Sequence, residues 1–208
     1  HSTVTTKTPE GVNKPDIYGY PDHPGVAKPQ ILNWFPQTDV GTFTGKSQAV
    51  WTVTGNANYV LYGGEFPKVN GTVQQGLVRY AVRSIAPNKQ GPRLSSTNWS
   101  PSVTSIAAGE VRIGYRSNWD RDDLNLTYRI FRDNETSTPL VVEDIATPFW
   151  TPVQKTFKDT GRTAGATHRY RVTATDPYGN VAKSDWVSVT VSNQELSPYA
   201  ENVLDDGA

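Results

Sequence analysis

Three carboxylates stand close together at Asp120, Asp122 and Asp123, within the run NWDRDDLN at 118–125. Oxygen donors at that density suit calcium, which takes about six to eight of them. The spacing is not that of an EF-hand, because the central glycine and the terminal Glu are missing. The plainer reading is a solvated loop that aspartates turn. Asp133 and Asp176 join the set only if loops converge. A sugar-stacking platform is the second chemistry on offer, from Trp34, Trp51, Trp99, Trp119, Trp150 and Trp186. Trp119 and Trp150 fall in loops and are the binding candidates, although a loop Trp also caps the open end of a core. Trp34 and Trp51 sit in strand candidates and read as core. Trp99 sits at a domain boundary and reads as packing between domains.

Catalytic patterns are missing. The histidines, His1, His23 and His168, have no metal-ligand spacing. There is no GxSxG and no phosphate loop, since Gly63-Gly64 lacks a following Lys-Ser/Thr. A glycosidase pair would be drawn from Glu65, Glu110, Glu143 and the aspartates. In the first half only Glu65 has aromatic neighbours, Tyr62 and Phe66, and its plain reading is a loop residue. No catalytic residue is assigned, and the chain reads as a non-enzyme.

Positioning these residues falls to strands. His168, Tyr170, Val172 and Ala174 share one parity, and Arg169, Arg171, Thr173 and Thr175 the other, the period of a half-buried strand. Asp176-Pro177-Tyr178-Gly179 follows with type I turn chemistry, and Val187, Val189 and Val191 alternate again. The same period runs through Val111, Ile113 and Tyr115, and through Leu126, Tyr128 and Ile130. Earlier strand candidates are 31–35, 49–54, 59–62 and 77–83, with Asn70-Gly71 as the strongest hairpin signal. Five prolines in the first 30 residues exclude a helix there, and Tyr18 and Tyr20 are candidates to pin that segment to a neighbouring surface. The class is all-β: a small antiparallel sheet followed by a seven-stranded sandwich. The expected layout is an extended Pro-rich segment at 1–30, a sheet at 31–90, a linker at 91–97, a sandwich at 98–193 and a linker tail at 194–208.

Composition narrows the setting. The chain has 208 residues and zero net charge, with +3 in residues 1–90 and −3 in the remainder. That is no footprint of a nucleic-acid binder. No 18-residue apolar run spans a membrane. Cys is absent, so no disulfide framework or thiolate chemistry operates. A first residue of His implies a processed or trimmed chain. The sequons at Asn70, Asn98, Asn125 and Asn134 matter only for a eukaryotic secreted origin.

The run Asp159-Thr160-Gly161, Gly165, Tyr170-Arg171-Val172, Ala174, Asp176 and Gly179-Asn180 resembles the corresponding stretch of bacterial fibronectin type III modules. Departures stand at Arg162, Ala164, His168 and Tyr115. Gly63-Gly64-Glu65-Phe66, Val69-Asn70-Gly71 and Gln75-Gly76-Leu77-Val78-Arg79-Tyr80 resemble one blade of a bacterial β-propeller of the delta-60 repeat type. The order of the two resembles large exported proteins of Gram-positive bacteria that also carry laminin-G-like modules, and 199–207 is faintly like the lead-in to one. The resemblance implies an extracellular, secreted or cell-surface module without catalysis, acting in adhesion, glycan contact or spacing. The alternatives are an accessory region of a secreted polysaccharide-degrading enzyme and a piece of a phage tail or fibre. Expected partners are other domains of the same protein, a second copy of the chain or a glycan. No cofactor is expected beyond the calcium candidate.

Two surfaces follow from parity. Arg129, Arg169 and Arg171 should share the outward face of a sheet with Phe131 and Thr173. Arginine beside an exposed aromatic typifies a contact surface, here for an acidic partner or a neighbouring domain, while the plain reading is a solvated face. In the first half, Val50, Val60, Leu61, Val78 and Tyr80 should form an apolar patch that needs cover.

Overall fold

The computed structural model describes residues 4–21, 23–86 and 90–195. The chain divides into two compact units, His1–Lys89 and Gln90–Ala208. The tail from 196 to 208, with the faint laminin-G-like stretch, lies outside the described residues.

The first unit opens with a two-stranded ribbon, β1 (Gly11–Val12) against β2 (Ala27–Lys28). Tyr18 and Tyr20 pin nothing there: both are exposed. The apolar run 31–35 makes only a bridge from Ile31 to Thr5, because Pro29 and Pro36 remove ladder donors on either side. A three-stranded antiparallel meander follows. It joins β3 (Val50–Gly55), β4 (Tyr59–Gly64) and, beyond a small hairpin, β7 (Leu77–Ala81). The hairpin pairs β5 (Lys68–Val69) with β6 (Thr72–Val73) across Asn70-Gly71, whose φ values of 52° and 81° suit a primed turn.

Cross-strand pairs Val60↔Tyr80 and Tyr62↔Val78 set one face of the meander against a small core. Tyr62, Phe66 and Val69 are buried there, with Trp34, Ala49, Val50, Val60, Val78 and Tyr80 packed on them. Trp34, Tyr62 and Tyr80 meet edge to face at 5.1–6.2 Å. The expected apolar patch is therefore largely covered from within the unit. Trp51 departs from expectation. A register shift between Val50 and Thr52 turns it out of the edge strand, and it stays 53% exposed.

The second unit is a sandwich. One sheet orders β12 (Gln154–Thr160), β9 (Glu110–Arg116) and β8 (Ser102–Thr104). The other orders β11 (Val141–Ala146), β10 (Asn125–Arg132), β13 (Thr167–Thr175) and β14 (Val181–Lys183), with β15 (Val187–Thr190) also on β13. Three strands face five, all antiparallel, with β14 and β15 following one another along the same edge of β13, and the two sheets make a β-sandwich. Alternation fills the space between the sheets: Val111, Ile113, Tyr115, Leu126, Tyr128, Ile130, Tyr170, Val172 and Ala174 are all buried.

Trp99 was expected between domains. It lies instead in the sandwich core at 5% exposure, edge-on to Tyr128 at 6.2 Å, and donates its Nε1–H to the Arg116 carbonyl at 2.7 Å. Residues 91–97, expected as linker, are likewise bound to the sandwich. The Asn118 side chain accepts from the Leu94 N–H at 2.9 Å and donates to the Leu94 carbonyl at 2.8 Å. Ser96 N–H donates to the Lys183 carbonyl at 2.8 Å, and Ser96 bridges Ser184 in parallel. Asn118→Ala orphans both main-chain groups of Leu94. It is expected to cost about 2 kcal/mol, at the low end of ~1–3 kcal/mol for each orphaned group because Leu94 is only half-buried. A urea midpoint that drops with an unchanged m-value would show it.

Candidate functional site

The loops 117–124 and 147–153 leave the same end of the sandwich. Ser117 N–H donates to the Val153 carbonyl at 2.7 Å, and Val153 N–H returns a bond to Ser117 Oγ at 2.9 Å. Thr147 N–H closes the other side onto the Leu124 carbonyl at 2.7 Å. This stitching brings Trp119 and Trp150 into one cluster through Phe149, which the sequence left unassigned. Ring centroids lie 6.5 Å apart for Trp119 and Phe149, and 4.8 Å for Phe149 and Trp150. Trp150 is 44% exposed and presents the outer ring. The Arg121 guanidinium lies 5.8 Å from the Trp119 ring centre.

The same 117–124 loop gathers the acidic trio. Carboxylate oxygens of Asp120, Asp122 and Asp123 lie within 4.8 Å of one another. Asp120 and Asp123 are buried, and Asp120 Oδ1 accepts from the Asp122 N–H at 3.2 Å. Burial first, and then Asp122 and Asp123, push the Asp120 pKa up to about 7. Among the described residues these three are the one such group able to hold a metal ion, and hard carboxylates favour calcium or magnesium. Buried Arg121 places a cation in the same loop. Asp176 and Asp133 are engaged elsewhere. Asp176 accepts from Tyr178 and Asn180 within its own turn, and Asp133 pairs with His168 at 2.7 Å.

Glu65 proves to be a loop clamp. Its carboxylate accepts from the N–H groups of Thr44 and Gln48 at 2.9 and 3.0 Å, and from Thr44 Oγ1. The backbone bond from Thr44 leads in holding its pKa below the usual carboxylate value. Gly41 is required beside it, because a Cβ there would collide with the Glu65 main chain.

A scan against protein-family models finds no match, and no curated protein matches the chain. Among solved structures, the chain is similar to the sixth fibronectin type III domain of human fibronectin type III domain containing protein 3. That match has 18% identity and a TM-score of 0.37, and covers 53% of this chain and 95% of the domain. It is also similar to a β-1,2-glucanase from Parabacteroides distasonis, at 16% identity and a TM-score of 0.30. There 77% of this chain spans 26% of the glucanase.

The second surface is the outer face of the five-stranded sheet. Register pairs Arg129↔Thr173, Phe131↔Arg171, Thr173↔Lys183 and Thr175↔Val181, which places all of them on one side. With Thr136 they line a groove of about 220 Å³. Phe131, expected as an exposed aromatic, is only 7% exposed, walled by the side chains that line the groove with it. The exposed-aromatic argument fails on this point. The aromatic the arginines do use is Trp186, at the break between β14 and β15. Arg171 lies 4.7 Å and Arg169 5.5 Å from its ring centre. Parity could not find Trp186 or Thr136, because both lie outside the regular strands.

Proposed function

We propose that the chain is a non-catalytic module of an exported multi-domain bacterial protein, surface-bound or secreted, that contacts glycan through the loop end of its sandwich. The observation that carries this reading is the union of Trp119, Phe149 and Trp150 from two stitched loops, with Trp150 half open to solvent. Flat aromatic faces at an open loop end suit a polyhydroxylated ring, whose C–H groups would lie over the rings. A non-catalytic role is supported by Glu65, whose carboxylate is committed to holding its own loop. Residues 31–90 are read as a blade of the delta-60 propeller type, supported by a three-stranded meander with its Asn-Gly hairpin. The acidic trio is read as a calcium site that would stiffen the same loop.

Affinity electrophoresis of the whole chain through gels holding a soluble neutral β-glucan, an arabinoxylan or a galactomannan tests the glycan contact. At least one polysaccharide should retard the chain. Trp150→Ala should weaken that retardation at least about tenfold, as for truncation of an anchoring Trp. Unchanged mobility in all three gels, or retardation indifferent to Trp150→Ala, would overturn it.

A further inference from the structure

We propose that the outer face of β10, β13 and β14 carries a second binding site, separate from the loop end, for a carboxylate-bearing sugar residue. Arg129, Arg171 and Lys183 supply three cations to one groove whose lining holds no acid. Among the described residues none of the three takes part in an ion pair. Uncompensated charge gathered in a chain of zero net charge marks a place for an anion. The fixed fork of a guanidinium matches a carboxylate in a way that a diffuse charge does not.

The floor decides between a sugar and an acidic peptide. β10 is paired on both sides, by β11 and β13, and β13 by β10 and by β14 with β15. The face therefore offers no main-chain ladder to a peptide, whose own N–H and C=O groups would go unmatched. What it offers is hydroxyls, at Thr136 and Thr175, beside the apolar ring of Phe131. Each hydroxyl both donates and accepts, as sugar hydroxyls do. The groove is also preorganised: Arg129 Nη1 donates to Thr175 Oγ1 at 3.1 Å, and Trp186 supports Arg171.

Calorimetric titration of the whole chain with trigalacturonate, maltotriose and hexaglutamate tests this. Trigalacturonate is expected to bind, more weakly as salt rises, and maltotriose and hexaglutamate are not. Arg129→Gln and Lys183→Glu should each weaken trigalacturonate binding at least tenfold, while Trp150→Ala leaves it unchanged. Lys183 is exposed, so K183E keeps the test open if an arginine variant melts early. No binding of trigalacturonate, or binding untouched by both variants, overturns the site. Equal binding of hexaglutamate with the same dependence on Arg129 and Lys183 overturns the sugar assignment. Because the probes and variants differ from those of the loop end, either site can fail alone.

Discussion

Tyr170→Ala should lower the unfolding free energy of the sandwich by about 3–5 kcal/mol, the range for removing a buried aromatic ring. The ring is 0% exposed at the centre of β13. Its hydroxyl donates to Asp159 Oδ2 at 2.8 Å, an oxygen that also accepts from Arg132 Nη1 at 2.7 Å. Truncation therefore empties the core and removes one donor from a buried carboxylate. Tyr170→Phe separates the two effects, because it keeps the ring and loses only the bond, at about 1–2 kcal/mol. Chemical denaturation of the isolated unit from residue 90 onward gives both numbers. A loss below about 1 kcal/mol for Tyr170→Ala would contradict the packing.

The second large effect belongs to Trp99→Ala, also about 3–5 kcal/mol. Trp99 closes the core beside Tyr128, which stacks in turn on Tyr115 at 5.7 Å. The truncation exposes these rings and leaves the Arg116 carbonyl without its indole donor. Were Trp99 merely a spacer between units, its removal would leave the denaturation midpoint of the second unit unmoved.

Legibility followed regularity. Nine core positions of the sandwich could be read from period two, because a strand between two sheets must alternate. A slip of one residue would have turned all of them outward, and Tyr170 and Val172 are instead buried. The Asn70-Gly71 turn was legible because only residues tolerant of positive φ form it. What stayed hidden lies where the period breaks. Trp51 sits in a bulge, Trp186 in the break of the last strand, and Trp99 in a single 3-10 turn ahead of β8. The strands on either side give no parity for such positions. Phe131 was placed on the correct face but misjudged in exposure, since parity assigns a side and says nothing of what neighbouring side chains cover. Among the candidate residues, Trp119, Trp150 and the acidic trio were picked out by type and loop position. Their convergence needed the stitching of Ser117, Val153 and Thr147, which no local pattern announces.

The bond from Ser96 to Lys183 and the bridge between Ser96 and Ser184 carry a mechanical consequence. The chain enters the sandwich beside Asn118 and leaves it at the far end, where Gln194 accepts from the Ala108 N–H and Ser192 N–H donates to Ser105 Oγ. The first and last strands thus run side by side, fastened near both ends, with Ser96 and Ser184 paralleling each other. Tension applied across the unit pulls along these strands and not across them. Bonds loaded that way share the force and must break together, whereas a hairpin pulled from its open end unzips one rung at a time.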